Sequence, residues 1–351
     1  MKTIVKSLDR KQIDMEIIEE ASQLLREGKM VAFPTETVYG LGADGLDANA
    51  AAHIYEAKGR PSDNPLIIHI AAVEQLETLT AEVPRSAKKL IEAFWPGPLT
   101  MIFNKSDRVP KAVTGNLDTV AVRMPNDVIA LELLRHSNIC IAAPSANTSG
   151  RPSPTEVKHV IEDLEGKVDM IIDGGKVGIG IESTIVDVTV DPPMILRPGS
   201  INKEMLEQVV GMVDIDQAIF EKPREDSQPK APGMKYRHYA PKAQLSIYEG
   251  KPDKVAEFIN KLAQEKVEKG YKVGIITADE TKALYLTGHI VSIGNRCEED
   301  TIANNLYGVL RDFDEMKVDY IFCEAFNTKQ LGTAIMNRLS KAAGYHIEKI
   351  R

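Results

Sequence analysis

Cysteine is scarce: Cys140, Cys297 and Cys323 are the three in 351 residues, too widely separated for a zinc-ligand spacing or a disulfide framework. Cys140 and Cys323 lie in apolar segments, and three buried, reduced thiols are expected. Long apolar runs are missing as well. Residues 139–143 are among the longest and are far too short to cross a bilayer. No apolar stretch follows the charged residues 2–11, so neither a signal peptide nor a transit sequence is expected, and a cytoplasmic location away from membranes is. The phosphate-binding P-loop is absent, since Gly174, Gly175 and Lys176 lack the earlier glycine and the following Ser or Thr. Zincin and kinase signatures are absent too. Nor is there an excess of cations: 43 Lys and Arg face 51 Asp and Glu, and a net charge of −8 speaks against a protein that coats polyanions, while leaving room for a local basic cleft.

What is present is an ordinary globular composition, 43% apolar and 27% charged, on a chain long enough for two domains. Residues 14–27 place Ile17, Ile18, Ala21, Leu24 and Leu25 on one helical face, and Gly28 follows at the exit. A strand at 30–33, a polar glycine-rich loop and a helix from about Asp47 come next. Further strands are predicted at 66–71, 99–103, 120–124, 139–143, 170–173, 185–188 and 194–197. The last of these follow one another without helices, so an α/β domain over 1–211 with a mixed twisted sheet is expected, not a purely parallel one. Residues 212–243 read as a linker, interrupted by Pro223, Pro229, Pro232 and Pro241. Its second half, MKYRHYAP at 234–241, is too rich in tyrosine and cations for a spacer and suggests a segment that docks. Strands at 245–248, 273–277, 290–293 and 320–323 then alternate with helices around 255–262 and 302–313, which predicts a small three-layer Rossmann-like domain over 244–351 with a parallel sheet.

Residues 40–45, GLGADG, match the dinucleotide fingerprint in form only. The glycines of a true fingerprint follow their strand directly, whereas residues 34–39 intervene here and no clean second strand with a ribose-binding acid follows, so nicotinamide or flavin binding is not expected. Four other stretches carry the chemistry. PTETVYGLG (34–42) sets hydroxyls and a carboxylate in a loop after a strand. KGRPSDNPLIIH (58–69) brings two cations off a helix end, and PSANTSGRPSPT (144–155) offers hydroxyls and amides suited to phosphate. GIGIEST (178–184) and Arg197-Pro-Gly bracket a strand pair. Taken singly, such loops are mostly turn chemistry, and His69 within LIIHI reads equally as a hydrogen-bonded core histidine. Arg123 is different, because a guanidinium on an apolar strand requires an anionic partner.

Together these stretches resemble the signature of the YrdC-like domain, and MKYRHYAP resembles the linker motif of two-domain threonylcarbamoyl-AMP synthases. The resemblance covers nearly the whole chain. It implies an enzyme, a nucleotidyltransferase that joins L-threonine, bicarbonate and ATP, with Mg2+ accompanying the ATP, into threonylcarbamoyl-AMP and pyrophosphate. It implies a downstream tRNA threonylcarbamoyl transferase machinery as partner and a weak affinity for tRNA itself.

By matching positions, Lys58 and Arg60 would be catalytic, and Lys58, Ser62, Thr119, Ser145, Asn147, Ser153, Arg197 and Tyr236 would bind ATP. Thr35, His69, Arg123, Ala143 and Ser183 would bind L-threonine, Arg123 taking its carboxylate; no resident metal ligands are implied. The MKYRHYAP segment is expected to close over the reactants, because a carbamate is short-lived in water. Two competing readings carry less. A tRNA-binding module without catalysis conflicts with the acidic charge, and a carbamoyltransferase of the hydrogenase-maturation type needs zinc-finger cysteine clusters that three dispersed cysteines cannot build. A nucleotide sensor in the C-terminal domain is a third reading.

Overall fold

The computed structural model describes residues 2–221, 229–236 and 238–351; the expected linker residues 222–228 and Arg237 of the MKYRHYAP motif lie outside them. The chain divides into two compact units, one comprising Met1–Ser149 and Ser153–Tyr236, the other Gly150–Pro152 and Arg237–Arg351.

In the first unit the strands are β1 (Ile4–Ser7), β2 (Val31–Phe33), β3 (Gly40–Asp44), β4 (Ile67–His69), β5 (Leu99–Asn104), β6 (Thr119–Arg123), β7 (Ile141–Ala142), β8 (Met170–Asp173), β9 (Thr184–Asp187), β10 (Met194–Arg197) and β11 (Asp214–Ile215). Its helices are α1 (Met15–Arg26), α2 (Ala48–Lys58), α3 (Leu76–Leu79), α4 (Arg85–Phe94), α5 (Lys111–Thr114), α6 (Val128–Ser137), α7 (Val157–Leu164) and α8 (Lys203–Val210). The strands form one sheet in the order β1-β8-β2-β3-β7-β4-β6-β5-β9-β10-β11. It is mixed as expected: β4 and β6 pair parallel, while β5 runs antiparallel to β6 and β9 to β10.

One face of this sheet is covered by α2, α4, α7 and α8 through Ala51, Ile54, Leu90, Val160, Leu164 and Leu206. On the other face α1 and α6 pack Ile18, Leu25, Ile129 and Leu133 against Val31, Phe33, Ile141 and Ile172. Alternation along the strands puts a small apolar patch of Ile67, Ile102, Ala121 and Ile185 beside the α1–α6 layer, and Ala231 and Met234 of the segment 229–236 lie on that patch. Asp14 caps α1 by accepting from the Glu16 amide, and Gly28 at φ +74° ends it, as its pattern predicts.

The glycine-rich stretch after β2 departs from the expected loop. Gly40–Asp44 is a strand, pairing antiparallel with β2 and β7. A Cβ on Gly42 would stand 2.8 Å from both Ile141 Cγ2 and Phe33 Cε1, so glycine is required here by close packing and not by a turn. Strand β1 also escaped the sequence reading, because its residues alternate little and are mostly exposed.

The second unit contains β12 (Gln244–Glu249), β13 (Val273–Thr277), β14 (His289–Ser292), β15 (Tyr320–Glu324) and β16 (Ile347–Lys349), with α9 (Pro252–Glu268), α10 (Glu299–Met316) and α11 (Leu331–Ala342). The sheet order is β14-β13-β15-β12-β16 and every pairing is parallel. Helix α9 packs Val255, Ile259 and Ala263 on the face bearing Val273, Ile275 and Phe322, while Phe313 of α10 meets the opposite side at Gly274. This is the expected three-layer Rossmann-like arrangement. Within this unit Arg311, fully buried, donates from Nε and Nη2 to the Pro152 carbonyl at 3.1 and 2.6 Å. Tyr239 stacks on Tyr307 with ring centroids 5.2 Å apart. Cys140 and Cys323 are buried, but Cys297 is exposed, correcting the expectation of three buried thiols; it sits in a turn ahead of α10 with Glu298, Glu299 and Asp300 following.

Candidate functional site

The site begins with strand register. Parallel pairing sets His69 of β4 beside Arg123 of β6, and antiparallel pairing sets Thr100 of β5 opposite Arg123. Paired residues point to the same side of a sheet, so a histidine, an arginine and a threonine emerge together where the apolar patch ends. His69 and Arg123 are each 4% exposed. Burial first, and the Arg123 charge second, push the His69 imidazole down to about 3, so it is neutral near pH 7. Its Nδ1 lies 3.2 Å from the Ile67 carbonyl.

Arg123 is pinned from two sides: Nε donates to the Gly97 carbonyl at 3.3 Å and Nη1 to Thr37 Oγ1 at 2.9 Å. Nη2 stands 2.6 Å from Glu36 Oε2. Thr37 belongs to the 34–39 loop, where Thr35 Oγ1 folds the chain on itself by donating to the Val38 carbonyl at 2.7 Å and accepting from the Thr37 and Val38 amides. The glycine-rich segment that starts at 178 closes against this loop, with the Ile179 amide on the Glu36 carbonyl at 2.8 Å and the Gly180 amide on the Thr37 carbonyl at 3.1 Å. Ser183 follows. Its Oγ is 2.7 Å from Thr100 Oγ1 and accepts from Arg197 Nη2 at 3.1 Å, while Arg197 Nε donates to the Ser183 carbonyl at 3.0 Å. Thr35 is thus joined through Thr37 to Arg123, Ser183 and Arg197 form a second chain through Thr100, and strand register sets Thr100 and His69 beside Arg123 on one sheet face.

The other residues form outlying groups. Helix α2 ends at Lys58 because Gly59 takes φ +59°, and the 1%-exposed Lys58 ammonium donates to the carbonyls of Ser145 and Asn147, tying the helix end to the 144–149 loop. Ser145 Oγ donates to Asn147 Oδ1 within that loop. Ala143 uses its amide on the Ile67 carbonyl at 2.9 Å, which fixes the loop to β4 next to His69. Ser153 donates to Glu182 Oε1 at 2.5 Å, one residue before Ser183. Arg60 donates to the carbonyls of Asn64 and Pro65 at 3.2 and 3.0 Å. Tyr236 donates to Asp63 Oδ1, with Lys235 Nζ 3.4 Å from Oδ2. Desolvation first and the Asp63 bond second push the Tyr236 phenol up to about 12, and the Tyr236 bond holds the Asp63 carboxyl below its ordinary range.

Two expected residues are not drawn into these contacts. Thr119 shares the face of Arg123 but lies four residues back along β6, roughly 13 Å by strand rise. Ser62 is exposed. A cavity of about 820 Å³ lined by Glu27, Lys29, His53, Lys58, Thr148 and Lys167 among others contains, of the candidate residues, Lys58 alone, so it is a separate hollow behind the helix end.

Sequence reasoning passed over Glu36, Thr37, Asp63, Thr100 and Glu182. Glu36, Thr37, Asp63 and Glu182 lie inside the quoted stretches, and the anion that Arg123 requires was the one signal pointing to a carboxylate among them. Thr100 carries no signal, since threonine is ordinary in a strand. Among the described residues no group of three or more His, Cys, Asp or Glu is placed to hold a metal ion, and no helix is long and apolar enough to cross a membrane.

Comparison with known proteins agrees with this architecture. A family model described as "Telomere recombination" matches residues 23–199, and one described as "Threonylcarbamoyl-AMP synthase, C-terminal domain" matches residues 201–344. The threonylcarbamoyl-AMP synthase of Pyrococcus abyssi is 52% identical over 341 residues, covering 97% of this chain and 98% of that protein. That of Bacillus subtilis is 50% identical over 328 residues, covering 93% of each. A crystal structure of P. abyssi Sua5 complexed with L-threonine superposes with a TM-score of 0.94 at 50% identity, covering 99% of this chain and 100% of that one. The two matched domains, their order and the near-complete coverage together mean that this chain belongs to the threonylcarbamoyl-AMP synthase family.

Proposed function

We propose that this enzyme condenses L-threonine, bicarbonate and MgATP into threonylcarbamoyl-AMP and pyrophosphate on the β4–β6–β5–β9 face of its first unit, in the cytoplasm, and passes the product to a tRNA threonylcarbamoyl transferase. The observation that carries the assignment of the site is the buried His69–Arg123 pair, joined through Thr37 to Thr35 and adjoining the Thr100–Ser183–Arg197 chain. Beside the Glu36 carboxylate 2.6 Å away, the Arg123 guanidinium offers its remaining N–H groups to the carboxylate of an amino acid. His69, neutral and next to it, offers a hydrogen bond without adding charge.

The reaction asks mainly for alignment. The amine must meet its carbon electrophile, and the resulting carbamate oxygen must reach the α-phosphorus in line. The amino acid takes the Thr35–His69–Arg123–Ser183 end, with Ala143 closing its side. The triphosphate takes the end bounded by Lys58, Arg60, Ser145, Asn147, Ser153 and Arg197, and the nucleoside extends toward Ser62, Thr119 and Tyr236. Lys58 and Arg60 offset the charge that builds on the leaving pyrophosphate. Mg2+ enters on the phosphate oxygens as part of the substrate, in keeping with its preference for phosphate and water ligands. The segment 229–236, anchored by Ala231 on the apolar patch and by Tyr236 on Asp63, limits the access of water to the carbamate.

The test is incubation of the full chain with MgATP, L-threonine and 13C-bicarbonate, with mass detection of nucleotides. An adenylate carrying both threonine and the label is expected. ATP recovered intact, or an adenylate lacking the label, contradicts the reading.

A further inference from the structure

The contact between Arg123 and Glu36 has the distance of an ion pair but not the alignment of a hydrogen bond. Nη2 and Oε2 are 2.6 Å apart, with side chains 5% and 13% exposed. Yet Arg123 Nη2 and both Glu36 carboxylate oxygens are buried with no hydrogen-bond partner among the described residues. A structural salt bridge this deep normally spends its donors and acceptors on one another, because unmade hydrogen bonds on buried charges are costly. The rest of the arrangement is fully engaged: Arg123 Nε and Nη1 are held by Gly97 and Thr37, and the Glu36 backbone carbonyl by the Ile179 amide. What remains is Arg123 Nη2 beside two Glu36 carboxylate oxygens, all three buried and without a hydrogen-bond partner among the described residues. That is the complement of a zwitterion.

We propose that Glu36 is a catalytic residue of this site, receiving the ammonium group of the amino-acid substrate and taking a proton from it. The proposal rests on the reading that Arg123 holds the same substrate's carboxylate. In the step, one N–H bond of the ammonium breaks, its proton forms an O–H bond on the Glu36 carboxylate, and the electron pair stays on nitrogen, which becomes the nucleophile. Without that transfer the ammonium has no lone pair with which to attack carbon. The neighbours are less suited to the task. His69 makes a hydrogen bond with the Ile67 carbonyl and is pushed well below the range of a useful base, and Glu182 Oε1 accepts from Ser153. Glu36 also makes the site selective for a primary amine over an uncharged group of the same size, because a hydroxyl in its place leaves the carboxylate unneutralised.

Calorimetric titration of the full chain tests this with two ligands: L-threonine, and the 2,3-dihydroxybutanoate of matching configuration, in which a hydroxyl replaces the amine. The unaltered protein is expected to bind threonine at least about tenfold more tightly than the hydroxy acid. Glu36→Gln, nearly the same in shape, is expected to lose about tenfold or more in threonine affinity, to keep or improve its affinity for the hydroxy acid, and to slow threonine-dependent pyrophosphate release at saturating threonine. Equal binding of the two ligands by the unaltered protein overturns the proposal without any variant. So does a Glu36→Gln chain that retains the preference for threonine. Tighter threonine binding by that variant overturns it also, showing Glu36 to be a placeholder displaced by the substrate carboxylate. Arg123→Met separates the two layers: threonine affinity unchanged there removes the carboxylate reading on which the proposal stands, whereas lost affinity there with unchanged affinity in Glu36→Gln removes the Glu36 role alone.

Discussion

Acidification offers a test of the buried site that needs no substrate. His69 is 4% exposed and is driven down to about 3 by burial and by Arg123 beside it. In the unfolded chain it returns to about 6.5. Between these values the unfolded chain carries a proton that the folded chain does not, so stability falls as pH drops below about 6.5, at up to ~1.4 kcal/mol per pH unit. At pH 5 the loss from this one residue is on the order of 2 kcal/mol, and above about pH 7 it is nil. Trp95 is the single tryptophan of the chain and lies in the first unit, its indole donating to the Leu99 carbonyl at 2.7 Å, next to Thr100. Its fluorescence therefore reports urea unfolding of the unit that holds His69. The comparison is with His69→Gln, which cannot titrate, so that the other titrating groups cancel. The stability difference between the two chains is expected to shift by about 2 kcal/mol between pH 7 and pH 5, to the disadvantage of the histidine form. A difference that stays constant over this range refutes the argument that His69 is buried uncharged beside a guanidinium.

Lys58→Ala removes the cation that ties α2 to the 144–149 loop, and a fall of about a hundredfold in the rate of pyrophosphate formation is expected at saturating substrates. Tyr236→Phe breaks the bond to Asp63 and is expected to raise KM for ATP by about three- to tenfold in steady-state assays, with Trp95 unfolding unchanged. In the second unit, buried Glu324 accepts from Thr277, the Ala278 amide, Thr281 and Tyr285 and pairs with Arg296 at 2.9 Å. Glu324→Ala is expected to destabilise that unit by about 3–5 kcal/mol, read as faster amide exchange in β13 and β15. Thiol labelling at pH 8 is expected to modify Cys297 alone in the folded chain, since burial pushes Cys140 up to about 11 and holds Cys323 well above the ordinary thiol value; rapid modification of all three contradicts the fold.

The sequence made the elements with a strong pattern legible. The amphipathic repeat and Gly28 marked α1, and the apolar runs at 99–103 and 170–173 marked β5 and β8 within a residue. It did not reveal β3, whose glycines serve a packing contact with Phe33 and Ile141 across strands distant in sequence. It missed α11 and β16 because a mostly buried helix has little polar face to make a period, and a strand of three exposed residues has no apolar one. At the site, the anion demanded by a guanidinium on an apolar strand was legible, and the structure places Glu36 beside Arg123. What register alone supplies was not: the pairing of His69 with Arg123, and the convergence of Thr100 and Ser183 from segments some eighty residues apart.

The chemistry depends on where the two substrates lie, and a crystal structure of this chain grown with L-threonine and a non-hydrolysable ATP analogue measures that directly. The expected density has the amino-acid carboxylate on the guanidinium of Arg123, its amine toward Glu36, and the triphosphate between Lys58 and Arg197. Threonine found in the hollow lined by Lys29 and Lys167, or a triphosphate bound away from Lys58, contradicts it.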